Sequence, residues 1–320
     1  MNNVLLITNK EDITTDFVVK RLREQHVSFY RLNTEDISRS VSVTLDFKTK
    51  RYEIYDGILK VQHDLNDFQS VYFRRPKLTE YGDSNLTEGE QEFLKRENSY
   101  LLEGIYEILE KAYWLNKVRY IRRAENKIYQ QIVARDIGFR IPDGIITNEY
   151  NDFCRFAEGR ETIIKPIKSG QIDDKETPKI VYTSKLKAIP GKNKVEYGVN
   201  YLQENIRKMY DIRVTIVGNV VYATRIDSQG NDVTETDWRR GEIVLPHSRI
   251  ELPRNILDKC QEMMHRLELN YGAIDLIEDK YGDYVFLEIN PNGQWAWIEK
   301  QTGYDISGEI ANHLAYGKVV

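Results

Sequence analysis

The chain has 320 residues, 41% hydrophobic and 30% charged, the composition of a folded globular protein of two or three domains. Its 46 basic and 50 acidic residues leave a net charge of −4, so the overall balance gives no reason to expect a nucleic-acid partner. Two cysteines, Cys154 and Cys260, permit one bridge at most and lack metal-ligand spacing; with no secretory or membrane-spanning apolar run, a cytoplasmic setting away from membranes is expected.

The N-terminal segment reads as α/β. "VLLIT" is a short buried strand, "TTDFVVKRLREQ" a helix with Phe17, Val18 and Leu22 at helical spacing, and "VSFYRLN" the next strand. "VSVTLDF" and "RYEIYDGILKV" alternate like antiparallel strands, and "FQSVYFRRP" is a further strand ending at Arg74, Arg75 and Pro76. No G-x-G-x-x-G or Walker glycine loop occurs, so a dinucleotide fold and a P-loop are both unsupported. A long helix is expected from about Thr87, with Thr87 and Glu90 as a capping box, to Trp114. A second, "RAENKIYQQIVARDIG", is expected to turn Ile128, Ile132 and Ile137 inward and to stop at Gly138.

Downstream, "TIIKPIK" is a strand carrying Lys165, and "SGQIDDKETPK" and "IPGKNK" are polar, turn-rich loops. "YDIRVTIVGNVVYATRI" is a hairpin turning at Gly218-Asn219, followed by the helix "LPRNILDKCQEMMHRLEL". A second hairpin, "GAIDLIEDKYGDYVFLEIN", and a helix, "DISGEIANHLAYG", close the chain.

The last hairpin carries the chemistry. Glu288 and Asn290 are two apart, so they share a strand face. A turn at Tyr281-Gly282 sets Lys280 against Asp283 and, counting back, Asp275 opposite Glu288. Two opposed carboxylates repel, and a cation would offset that. Asp275, Glu288 and Asn290 offer oxygen donors only, which suits Mg²⁺ shared with substrate phosphates. Pro291 and Gly293 end the strand; Trp295 and Trp297 either pack on the final helix or wall a channel.

These residues resemble a known family. "GAIDLIEDKYGDYVFLEINPNGQ" is similar to the catalytic end of ATP-grasp carboxylate ligases. More narrowly, "YRLNTEDI", "VYFRRP", "RRAENKIYQQIVARDIGFRIPDGIITN", "YLQENIRKMYDIRVTIVG", "TDWRR" and "EINPNGQWAWIEKQTG" resemble the ATP-grasp maturases of graspetides, the microviridin- and plesiocin-type peptide macrocyclases. The likeness runs from about Asn3 to Ala315. It implies an α/β ATP-grasp fold: an N-terminal pre-ATP-grasp domain over residues 1–122, a mobile lid over 123–200 and a C-terminal catalytic domain over 201–320. It implies that Lys127 and Lys165 touch ATP phosphates, that Gln203, Glu204, Asn205 and Ile206 form the adenine hinge, and that Asp211 reaches the ribose side. It places Arg213 and Arg239 on the phosphate or the reacting carboxylate, and Asp275, Glu288 and Asn290 on Mg²⁺.

The expected activity is ATP-dependent ring closure in a ribosomally made precursor peptide with a leader and a Thr/Glu-rich core. Glu or Asp side chains are activated as acyl phosphates and joined to Thr or Ser hydroxyls, or to Lys amines. A homodimer is also implied. Arg74 and Arg75 hold a substrate carboxylate or pair with local acids, and Arg213 is equally open to a salt bridge with Asp211. The alternatives are an intermolecular ATP-grasp ligase that adds an amino acid, and a silent scaffold that binds peptide and nucleotide.

Overall fold

In the computed structural model, which describes residues 3–82, 85–168, 170–172, 179–230 and 245–317, the chain opens with β1 (Val4–Thr8), α1 (Ile13–Glu24) and β2 (Phe29–Asn33). An antiparallel meander follows, β3 (Val41–Asp46), β4 (Arg51–Asp56) and β5 (Val61–Asp64), then β6 (Ser70–Phe73), α2 (Glu88–Ile108) and the short β7 (Tyr113–Trp114). Strands β2, β1, β6 and β7 form a parallel sheet in that order. A parallel sheet is covered on both faces, which is why "VLLIT" is apolar throughout and buried at all five positions. Val4 and Leu6 join a core with Val18 and Leu22 of α1, while Leu5 and Ile7 pack with Leu102 and Ile105 of α2.

The Thr87–Glu90 capping box is formed, but α2 ends about one and a half turns before the expected Trp114. The chain there is drawn into the sheet: Tyr113 and Trp114 pair with Ser70 and Val71, and Trp114 Nε1 donates to the Leu109 carbonyl at 2.9 Å.

The expected second helix is two. α3 (Val118–Ala124) stops at Glu125, and Asn126 caps α4 (Lys127–Ile137) by accepting from the amides of Ile128 and Tyr129. Gly138, in the left-handed region at φ 87°, ends α4 as expected. The buried face of α4 is Gln130, Val133 and Ala134, whereas Ile128 and Ile132 are each 44% exposed and Ile137 is partly buried. That face is chosen by a polar residue, Gln130, which apolar periodicity does not detect. Residue 122 falls within α3.

A smaller unit comprises β8 (Gly144–Thr147), α5 (Tyr150–Ala157), β9 (Thr162–Lys165), β10 (Gln171–Ile172), β11 (Lys179–Ile180), β12 (Ser184–Lys185), α6 (Lys192–Glu196) and β13 (Asn200–Glu204). β12, β9, β13 and β8 form an antiparallel sheet in that order, and the fully buried core beneath it is Phe153, Val195 and Leu202. Much of "SGQIDDKETPK" lies outside the described residues; "IPGKNK" contains the start of α6.

The C-terminal part holds β14 (Lys208–Val217), β15 (Val220–Ile226), β16 (His247–Arg249), α7 (Arg254–Arg266), β17 (Tyr271–Asp279), β18 (Tyr284–Asn290), α8 (Ala296–Thr302) and α9 (Ile306–Tyr316). Its antiparallel sheet runs β16, β15, β14, β17, β18. One face buries Ile212, Val214, Ile274, Leu276, Phe286 and Ile289 against α4 and α7. The opposite face packs Val217, Tyr222 and Tyr271 against the N-terminal sheet and α9 at one end, and at the other Glu288 and Asn290 border a cleft. Trp295 is fully buried, edge-on to Phe17 of α1 at 6.0 Å, so it packs rather than walls a channel. No helix among the described residues is long and apolar enough to cross a membrane.

Candidate active site

Asp275 and Glu288 are register partners, but by a route the turn count does not contain. The tip is a three-residue turn: Asp279 N–H donates to the Asp283 carbonyl at 3.0 Å, and Gly282 supplies the positive φ of 83°. Leu276 therefore pairs with Phe286, and a bulge before the next pair makes Leu287 the extra residue. The bulge returns Asp275 to Glu288 while Phe286 and Ile289 both stay on the core side.

Direct partners share a face, so Arg249, Thr224, Arg213, Asp275 and Glu288 form one row across all five strands of the sheet. Arg213 Nη1 donates to Asp275 Oδ1 at 2.9 Å, with both side chains largely buried. Lys127 Nζ lies 3.2 Å from Glu288 Oε2 and 3.3 Å from the Pro166 carbonyl. Each opposed carboxylate thus has its own cation. Asn290 flanks the row one step on; its Oδ1 accepts from Asn292 N–H at 3.1 Å. Lys127, Glu288 and Asn290 line a cavity of about 460 Å³, together with Gln130, Lys168 and residues 180–183 of the smaller unit.

Among the other expected site residues, Lys165 on β9 sets its ammonium 4.7 Å from the Tyr201 ring centroid. The Tyr201 phenol is pushed up to about 12 by burial, with the Glu288 charge adding to it, so this ring stays neutral. Gln203 is buried, and the Glu204 and Asn205 amides donate to Asp143 and Glu161 carbonyls, both at 2.8 Å. Asn205, Ile206 and Lys208 border a separate cavity of about 410 Å³. Asp211 is buried and accepts from Lys208 Nζ at 2.7 and 2.9 Å and from Ser228 Oγ at 2.5 Å. The expected option of an Arg213–Asp211 pair is not the arrangement found: the direct cross-strand neighbour, Asp275, takes Arg213 instead.

Of the two expected options for Arg74, a substrate carboxylate or an acid of the protein, the structure has the second. Arg74 is 0% exposed, and its Nη1 donates to the Asn292 carbonyl (2.5 Å), Asn292 Oδ1 (3.0 Å) and the Gly293 carbonyl (3.0 Å). Its Nε lies 3.7 Å from the buried Asp12 carboxylate. It ties the N-terminal sheet to the loop after β18 and is closed to a substrate. Arg75 remains exposed, in the left-handed region at φ 48°, with its carbonyl held by Asn9 Nδ2 at 2.6 Å. Arg239 lies outside the described residues.

Sequence reasoning missed two participants, Asn292 and Gln130, and left open whether Trp297 packs or walls a channel. Trp297 lies under the Arg213 guanidinium (5.9 Å) and beside the His247 ring (5.2 Å), so unlike Trp295 it borders the charged row. Asn292 links Arg74 to Asn290. Gln130 grips the backbone between Glu288 and Asn290. Neither Asn292 nor Gln130 carries a charge or a metal-ligand spacing that would have drawn notice.

The geometry has counterparts. The family described as MvdD pre-ATP grasp domain matches residues 3–122, and the RimK-like ATP-grasp domain matches 186–314. The macrocyclase MdnC bound with precursor peptide MdnA from Microcystis aeruginosa MRC superposes with a TM-score of 0.86 at 27% identity, over 98% of this chain and 99% of that one. A Chryseobacterium gregarium RiPP-associated ATP-grasp ligase in complex with ADP and a leader and core peptide gives 0.88 at 26% identity, over 100% and 98%. Macrocyclase MdnB from Microcystis aeruginosa MRC gives 0.80 at 28% identity, over 99% and 100%. No curated protein sequence matches the chain. Two carboxylates and an amide facing a cleft between a lid-sized sheet and a five-stranded sheet, in this topology, define an ATP-grasp ligase. More narrowly, over nearly its whole length the chain is similar to peptide macrocyclases and a RiPP-associated ligase of that fold.

Proposed function

We propose that the protein closes rings in a ribosomally made precursor peptide. A Glu or Asp carboxylate oxygen of the peptide attacks the γ-phosphorus of ATP. The bond to ADP breaks, leaving an acyl phosphate. A Thr or Ser hydroxyl of the same peptide then attacks the acyl carbon, phosphate departs and the hydroxyl proton is lost, giving an ω-ester; a Lys amine gives an amide instead. Holding both groups in one bound peptide removes the entropic cost of a bimolecular encounter.

The observation that carries this reading is the opposed Asp275–Glu288 pair with its two cations, Arg213 and Lys127, beside a roomy cavity. The donor set fits Mg²⁺: Asp275, Glu288 and Asn290 would hold it, and it would supply charge to offset that of the phosphates. Lys127, Lys165 and Arg213 are then the side chains assigned to the transferring phosphoryl group, Gln203 to Ile206 and Asp211 the nucleoside contacts, and Arg75 and Arg239 the candidates for the reacting carboxylate. We further infer the division 1–122, 123–200 and 201–320, and a cytoplasmic homodimer.

Asp275→Ala and Glu288→Ala are expected to abolish ADP release while the far-UV spectrum stays native. A folded variant that releases ADP at the parental rate refutes the metal assignment. Incubation with a Thr/Glu-rich peptide and ATP is expected to remove one water per ring. A mass gain would point instead to an amino-acid-adding ligase, and peptide binding without ADP would mark a silent scaffold.

A further inference from the structure

β18 is the outermost strand of its sheet, yet its free edge is covered by side chains of α4. Gln130 Oε1 accepts from Ile289 N–H at 3.0 Å, and Gln130 Nε2 donates to the Ile289 carbonyl at 2.8 Å. The amide therefore pairs with Ile289 as a neighbouring strand would. Its second Nε2 hydrogen reaches the Ala124 carbonyl at the end of α3, at 2.6 Å. Gln131 Nε2 donates to the carbonyl of Leu287, the bulge residue, at 2.8 Å. Gln130 is 2% exposed, so these bonds form away from bulk water, where breaking them is costly.

Ile289 lies between Glu288 and Asn290. Rotating its peptide planes would swing both donors away from the cleft; β17 pairs the inner edge of this stretch and Arg140 bonds the outer edge at Phe286, but at Ile289 itself the outer edge is held by Gln130. Lys127 stands three residues before Gln130 on the same helix and touches Glu288. One helix thus fixes an ammonium and two oxygen donors relative to each other.

We propose that Gln130 is a positioning residue that holds Glu288 and Asn290 in the arrangement a divalent cation requires. This rests on the metal reading of those residues given above. Partners that orient metal ligands typically account for roughly 10- to 100-fold in affinity.

The test uses the full chain, Mn²⁺ as a paramagnetic stand-in for Mg²⁺, and a non-hydrolysable ATP analogue, with free Mn²⁺ read by electron paramagnetic resonance. Gln130→Met and Gln130→Glu are expected to weaken Mn²⁺ binding about tenfold or more. Val133→Ala, a buried truncation one turn along α4, is expected to leave it within about twofold, because a loosened core does not turn the Ile289 peptide. If Gln130→Met does not fold, Gln130→Glu carries the comparison, since it keeps the volume and the acceptor for Ile289 N–H. Parental Mn²⁺ affinity in the folded Gln130 variants, or an equal loss in Val133→Ala, overturns the proposal. If the parent itself fails to bind Mn²⁺, or Glu288→Ala binds normally, the metal reading falls instead.

Discussion

Arg213 and Lys127 each neutralise one of two carboxylates that would otherwise repel across β17 and β18. Arg74 works differently. It is sealed at the junction of the N-terminal sheet and the loop at Asn292–Gly293, against buried Asp12. Removing one member of a buried pair strands the other, so Arg74→Ala should lower stability by roughly 3–5 kcal/mol. Denaturant titration measures this, and a loss under about 1 kcal/mol would show that Thr8 and Thr15, which also bond Asp12, suffice without it. At this scale the sequence revealed charged groups better than their roles. Asp275, Glu288 and Lys127 stand out by type and spacing. Arg74 and Arg75 look alike in "FRRP", and only the fold separates a buried strut from an exposed residue. Gln130 was hidden because an amide in a helix carries no periodic signal.

The elements differ in how firmly they are held. The smaller sheet rests on three fully buried apolar residues, Phe153, Val195 and Leu202, whereas the five-stranded sheet buries a far larger set against α4 and α7. Amides of β8, β9 and β13 should therefore exchange hydrogen well before those of β14 and β17 in the nucleotide-free protein, and slow when ATP analogue and Mg²⁺ are added. Equal protection in both sheets would show that the small core understates the stability of the smaller unit. Strand order in the hairpins was legible from turn residues and alternation. The pairing of Asp275 with Glu288 was reached through a two-residue turn; the molecule has a three-residue turn and a compensating bulge at Leu287. Bulges leave almost no trace in composition. Helix ends were missed for two different reasons: Trp114 is drawn into the sheet by Val71, far off in sequence, whereas Asn126 caps α4 through the nearby amides of Ile128 and Tyr129 inside a run that reads as one continuous helix.

Over the whole molecule, His63, His247 and His313 are each held below the ordinary imidazole value of about 6.5, in every case chiefly by burial. A base whose folded value is lowered costs nothing while neutral, above about 6.5, and opposes folding once protons bind more readily to the unfolded chain. Stability should therefore fall as pH drops from about 6.5 through the lowered values. A thermal midpoint that is flat or rising from pH 7.5 to 5 would contradict this, and His313→Gln should flatten part of the slope.

Val4, Leu6, Val18 and Leu22 share one apolar cluster with Val217, Tyr271, Trp295 and Ile310, so the first and last thirds of the polypeptide bury a common interior. Asn116 bonds the Pro291 carbonyl, and Thr14 Oγ1 donates to Gln294 at 2.6 Å, across the same seam. Grafting the opening third from a cousin enzyme would therefore not be a modular exchange. The chimera would inherit a mismatched seam directly beneath the loop that anchors Asn290, and its chemistry should suffer even where the peptide-facing surface was copied faithfully.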